Sequence, residues 1–139
     1  PDNRWVYFGA MSGLSLYRIE TKYLADNTLT NSELESHVVR YGSKPISDGI
    51  TVDNTGNVYV TSITDNSIGV VKPDGQYSTL YQGEHLSWPD GFAVGPNNQI
   101  YFTVNELHKS PVLNKGKDES SGKFAIYRFD AIAEATVGR

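Results

Sequence analysis

The sequence predicts an all-β fold: about three blades of a β-propeller, each blade a four-stranded antiparallel sheet. Three observations carry that reading. The stretch Asp48-Gly49-Ile50-Thr51-Val52-Asp53-Asn54-Thr55-Gly56-Asn57-Val58-Tyr59 returns 42 residues on as Asp90-Gly91-Phe92-Ala93-Val94-Gly95-Pro96-Asn97-Asn98-Gln99-Ile100-Tyr101. In each copy two apolar, β-branched or aromatic runs flank a turn, the pattern of an antiparallel hairpin. A period of about 40 to 45 residues with several strands per unit is the spacing of propeller blades. Six such blades take roughly 250 residues, and the 139 residues here make up about half of that. The expectation is therefore part of one larger domain, its ring closed by the remaining blades of a parent chain or by a second copy. Blades left uncovered would expose strand edges and a sheet face.

Taken in order, the blades occupy about residues 5–41, 46–82 and 90–130. Trp5-Val6-Tyr7-Phe8-Gly9 and Leu14-Ser15-Leu16-Tyr17-Arg18-Ile19 read as the second and third strands of a blade whose first strand would precede the chain. Residues 20–45 form a connection longer than ordinary loops. Within it, Thr30 three residues before Glu33 is a capping-box pattern, which predicts one short helix. Val38-Val39-Arg40-Tyr41 reads as the outer strand, and Gly42-Ser43-Lys44-Pro45 as the turn inward. The second blade is the most complete, with strands at 50–53, 58–62, 67–71 and 77–81. Its boundaries carry turn chemistry at Asp65-Asn66 and Pro73-Asp74-Gly75. The third blade runs through 92–94 and 99–104, is interrupted by a polar insertion at 105–122, and resumes at 124–129. Residues 131–137 read as a short terminal helical turn.

Composition narrows the classes of function. Twelve basic and 16 acidic side chains leave a net charge of −4, so nothing electrostatic favours nucleic acid or an anionic membrane as partner. No apolar run approaches the roughly 18 residues of a membrane span. The chain has no cysteine, which removes disulfides, thiolate metal sites and cysteine nucleophiles. It opens on Pro1-Asp2-Asn3-Arg4 with no basic and apolar leader in view. Gly13-Leu14-Ser15-Leu16-Tyr17 lacks the closing glycine of a nucleophile elbow. No His-Glu-x-x-His pattern occurs, and Asp53-Asn54-Thr55-Gly56-Asn57 has its glycine misplaced for an EF-hand. Lys109, Lys115, Lys117 and Lys123 are interleaved with Asp118 and Glu119 and read as a solvated face.

Four segments carry a resemblance that runs over nearly the whole chain. They are Trp5-Val6-Tyr7-Phe8-Gly9 with Leu16-Tyr17-Arg18, Lys44-Pro45-Ile46-Ser47-Asp48-Gly49-Ile50, Leu86-Ser87-Trp88-Pro89-Asp90-Gly91-Phe92, and Asn105-Glu106-Leu107-His108. In order and spacing they resemble the C-terminal half of the major royal jelly proteins and insect yellow proteins, particularly bacterial members. The resemblance implies a six-bladed propeller whose tunnel mouth holds a small ligand, and a secreted or periplasmic location. Members of that family in the saliva of blood-feeding insects bind biogenic amines, and some insect members are linked to dopachrome conversion.

The residues that could carry chemistry sit around the repeat. Asp48 and Asp90 lead into inner strands on neighbouring blades, which would place two carboxylates at one mouth of the channel, suited to a cation or an amine. Each could instead cap its own turn while Gly49 and Gly91 permit close chain approach. Asn105, Glu106 and His108 open the insertion, a candidate lid or pocket wall, or simply a solvated loop. His108 could act as base or ligand near neutral pH. Trp88, Phe92 and Tyr101 could wall an amine site through cation–π contact, or pack between blades. The expected ligand site is thus Asp48, Trp88, Asp90, Asn105 and His108, binding an amine or a phenol, with no catalytic residue assigned. Similarity to calcium- or zinc-dependent gluconolactonases, also six-bladed, implies an alternative: Asp90 of the Pro-Asp-Gly motif and Asn105 hold a divalent cation for lactone hydrolysis. A third reading is a structural or protein-binding propeller.

Overall fold

Val58-Tyr59-Val60-Thr61-Ser62 and Ser67-Ile68-Gly69-Val70-Val71 show no alternation of apolar and polar residues, so both faces of these strands need cover. In the computed structural model, which describes residues 3–138, all ten residues are buried. Pro1 and Asp2, on which the reading of the chain's start partly rests, and Arg139 lie outside the described residues.

The cover comes from a sheet on either side. The first holds β1 (Trp5–Phe8), β2 (Ser15–Glu20) and β3 (Val39–Ser43), in that order. The central sheet holds β4 (Ile50–Val52), β5 (Val58–Ser62), β6 (Ser67–Val71) and β7 (Tyr77–Gln82). The third holds β8 (Pro89–Val94), β9 (Gln99–Val104) and β10 (Ala125–Asp130). All pairings are antiparallel meanders. Ile50 faces Val60 and Phe92 faces Phe102, so the sequence repeat is a repeat of register. Leu16, Tyr41, Val58, Val60 and Val71 form the core between the first two sheets. Tyr59, Ile68, Val70, Ile100, Phe102, Val104 and Phe129 form the core between the second and third.

Only the central sheet has the four strands expected of each blade; among the described residues the first sheet lacks an inner strand and the third an outer one. The short helix is present as α2 (Asn31–Ser36), preceded by α1 (Thr21–Leu24), a single turn that lacks a side-chain cap and left no mark in the sequence. The capping box is complete: Thr30 Oγ1 accepts from Glu33 N at 3.3 Å, and Glu33 Oε2 accepts from Thr30 N at 2.8 Å. Among the described residues no helix is long and apolar enough to cross a membrane.

Two expectations need correction. The outer strand β3 continues through Ser43, which pairs with Ser15, so the inward turn begins at Lys44. Residues 131–137 contain no helix. Their backbone groups are claimed by the second and third sheets instead, an instance of tertiary contacts overriding local preference. Tyr59 Oη accepts from Ile132 N at 2.6 Å, Asn98 Oδ1 from Ala135 N at 2.9 Å, and the Glu134 carbonyl from Asn54 N at 2.7 Å.

The lead-in to β4 approaches the start of β8 backbone to backbone. A Cβ on Gly49 would lie 2.2 Å from the Asp90 carbonyl oxygen, whereas one on Gly91 would meet nothing within 4 Å. Gly49→Ala is therefore expected to destabilise the chain by roughly 1–3 kcal/mol through overpacking. Gly91→Ala is expected to change stability by no more than about 0.5 kcal/mol. Urea denaturation of the two variants side by side checks the difference; equal effects would contradict it.

Candidate functional site

The close approach at Gly49 brings the two Asp-Gly motifs together at one end of the inner strands. The Asp48 and Gly49 amides both donate to Thr61 Oγ1, each at 3.0 Å, which anchors this lead-in to the end of β5. The exposed Asp48 carboxylate does not cap its own turn. Its Oδ2 accepts from Trp88 Nε1 at 2.9 Å, a bond from one blade to the next. Trp88 holds a left-handed backbone, φ 57°, uncommon for a bulky residue. That conformation belongs to the irregular stretch where β8 is bulged between Pro89 and Phe92.

Asp90 Oδ2 accepts from Asn105 Nδ2 at 2.7 Å. Loss of solvent, and then the negative charge of Asp48 nearby, hold the Asp90 carboxyl above the ordinary range, against the pull of the Asn105 amide and the Gly91 N–H. The opposite end of the Asn105 amide, Oδ1, accepts from Leu107 N at 3.0 Å, an Asx-type turn that starts the insertion. The chain then passes through a 3₁₀ turn at Leu107–Lys109, which lays the His108 ring parallel to Trp88, centroids 5.7 Å apart and planes 11° from parallel. Asp48, Trp88, Asp90, Asn105 and His108 are thus assembled in one cluster. Phe92 packs instead against Phe102 and Phe129, and Tyr101 Oη contacts Gln99, so both serve the sheet.

For a metal ion, the donor set is poor. The amide nitrogen of Asn105 is the end turned towards Asp90, and its oxygen already accepts a backbone N–H. Among the described residues no three His, Asp or Glu side chains group as metal ligands would.

Two residues matter more than their sequence context announced. Glu106 is buried and, like Trp88, left-handed, φ 51°. Its carboxylate binds Lys109 Nζ at 2.6 Å, Ser121 Oγ at 2.6 Å and Ser121 N at 2.7 Å, tying the two ends of the insertion together. The Lys109 ammonium, then the Ser121 hydroxyl and amide, lower its carboxyl from 4.5 to about 2. The only sequence signal was its place at a strand end before a long insertion. Lys44, four residues before Asp48, is 4% exposed, and its ammonium donates to the carbonyls of Pro45 at 3.1 Å and Met11 at 3.4 Å. Burial pushes its pKa down. A Lys-Pro pair at a turn gave no hint of burial.

With this geometry in place, comparison identifies relatives. The family described as Major royal jelly protein matches residues 1–134. No curated protein matches the chain in sequence. Among solved structures, a catalytically inactive virginiamycin B lyase from Staphylococcus aureus with quinupristin is 19% identical, TM-score 0.55, covering 94% of this chain and 39% of that one. A streptogramin B lyase is 14% identical, TM-score 0.55, covering 96% and 39%. A luciferin-regenerating enzyme is 18% identical, TM-score 0.58, covering 97% and 44%. At such identities the likeness shows the propeller fold alone, and this chain spans about two fifths of the length of those structures.

The Glu106 clasp has a pH signature. Because the folded-state carboxyl lies below its ordinary 4.5, the clasp's stabilisation is complete above that pH and is lost as pH falls towards about 2. At neutral pH, Glu106→Gln is expected to speed tryptic cleavage at the insertion's lysines about tenfold, as local opening becomes easier. Unchanged cleavage would mean that the insertion is held by other contacts.

Proposed function

The chain belongs to the major royal jelly protein family, and from that premise we propose that it forms part of a propeller binding a small aromatic amine at the channel mouth. The observation that carries the proposal is the pair of carboxylates, Asp48 and Asp90, set beside the stacked rings of Trp88 and His108. Loss of solvent and then the Asp48 charge oppose the ionisation of Asp90, and an ammonium beside it would relieve that opposition. The Trp88 ring supplies a surface for the ligand's ring and a cation–π contact for its charge. Asn105 orients Asp90, and the insertion clasped by Glu106 carries His108 to the site. A neutral phenol would gain hydrogen bonds here without relieving the repulsion, so the amine is favoured. The alternative of metal-assisted lactone hydrolysis through Asp90 and Asn105 has less support, because the Asn105 amide already serves Asp90 and Leu107.

A six-bladed ring is part of the same proposal, with the missing blades supplied by a parent chain or by a second copy. Its support is local. Gly91 faces open space where its counterpart Gly49 meets the next lead-in, and Val6 and Phe8 are exposed on the face of the first sheet turned away from the second.

Calorimetric titration tests the ligand. Phenethylamine is expected to bind at neutral pH and phenethyl alcohol, of the same shape without the charge, at least tenfold more weakly, about 1.4 kcal/mol. Asp90→Asn should lower amine affinity by a similar factor. Affinity should also fall as pH drops through the Asp90 pKa, which lies above 3.8. No heat with any amine would leave a structural or protein-binding propeller. Calcium and zinc are expected to leave the Tm unchanged, and a rise abolished by Asp90→Ala would favour the hydrolase.

A further inference from the structure

At the other end of β4 from Asp48, Arg18 is a cation that the described residues do not neutralise. It lies on β2 opposite Tyr7, on the face turned towards the central sheet. Its guanidinium lies against two rings, 4.1 Å from the Trp5 centroid and 4.9 Å from that of Tyr41. The Nε is buried and has no hydrogen-bond partner among the described residues.

The nearby carboxylates are committed elsewhere. Glu20 pairs with Arg4 at 2.9 Å and with Lys22 at 2.7 Å. Asp53, fully buried, spends its oxygens on the Thr55 amide and hydroxyl, the Asn57 amide groups and the Tyr59 hydroxyl, all within 3.0 Å. A guanidinium partly removed from water without a counter-charge is costly, and its planar fork of donors matches the two oxygens of a carboxylate or phosphate. The Trp5 and Tyr41 rings against the guanidinium hold it in place before anything binds. Arg18 borders a cavity of about 250 Å³, which Arg4, Tyr7, Asn54, Thr55 and the internally bonded Asp53 also line. That is below the roughly 300–1,000 Å³ of sites for drug-sized ligands.

We propose that this cavity between the first and second sheets is a binding site for a small oxyanion, carboxylate or phosphate, with Arg18 as its principal anchor. Arg4, already paired with Glu20, adds charge at the rim, and Asn54 and Thr55 offer polar groups. The site is separate from the Asp48–Asp90 cluster and opposite to it in charge, so one end of the inner strand serves cations and the other anions.

Titration of the chain with inorganic phosphate and, separately, with benzoate tests the proposal and distinguishes the two sources of oxyanion. At least one should bind with a Kd below about 10 mM. Arg18→Gln should weaken it at least tenfold and Arg18→Lys, which keeps the charge but loses the fork, by a smaller factor. Asp90→Asn should leave it unchanged. A folded Arg18→Gln chain that binds as well as the parent would overturn the assignment, as would binding of neither anion. Should Arg18→Gln fail to fold, Trp88→Phe leaves Trp5 as the sole tryptophan of the two in the chain. Its fluorescence should then change saturably with the bound anion, and no change up to about 10 mM would overturn the proposal.

Discussion

Where Gly49 meets the Asp90 carbonyl, two blades approach more closely than any side chain would allow. The rest of the candidate site follows from that contact. Because the lead-ins run backbone to backbone, Asp48 comes within reach of the Trp88 indole and close enough to Asp90 to raise its pKa. A bulkier residue at 49 would widen the gap between inner strands and separate the carboxylates. The glycine is thus a structural requirement with an electrostatic consequence: a spacing rule between blades becomes a concentration of negative charge.

That contact is supported by the burial of the central sheet. β5 and β6 are covered on both sides, by Leu16 and Tyr41 on one and by Phe102 and Phe129 on the other. Asp53, at the foot of the first hairpin, could not be buried without its three partner residues, Thr55, Asn57 and Tyr59; Tyr59 uses the same hydroxyl to hold Ile132 of the terminal segment. A single buried carboxylate therefore links a turn, a core tyrosine and the strap that crosses two sheets. Burial, reinforced by the charge of Asp53, pushes the Tyr59 hydroxyl's pKa far up, which keeps it neutral and able to donate.

The two ends of the inner strand differ in character because they are made by different kinds of segment. The end near Asp48 gathers lead-ins and the insertion, which are irregular and free to present Asp, Asn, Trp and His side chains. The end near Asp53 gathers tight hairpins and the start of β1, where Arg4 and Arg18 lie against Trp5. Charge separation of this sort arises from topology, since strands of a meander return alternate loops to the same side.

Much of the fold was legible in sequence because a repeat of register writes itself as a repeat of residues. The 42-residue offset located both hairpins, and Thr30 with Glu33 announced α2. The terminal segment was misread as helical because its order comes from distant acceptors on Asn98 and Tyr59, which no local pattern encodes. The candidate site was half legible. Asp48, Trp88, Asp90, Asn105 and His108 stood at strand ends, where a propeller exposes side chains, but Phe92 and Tyr101 shared the same aromatic chemistry and belong to the sheet. The sequence by itself determined most of the strands and their order, since these depend on periodicity and turn chemistry over short distances. Only the tertiary structure decided which carboxylate meets which ring, that Glu106 clasps the insertion, and that Lys44 and Arg18 are cations without carboxylate partners among the described residues. Those facts depend on how far apart neighbouring blades lie, a distance set by side-chain volume and backbone contact between segments remote in sequence.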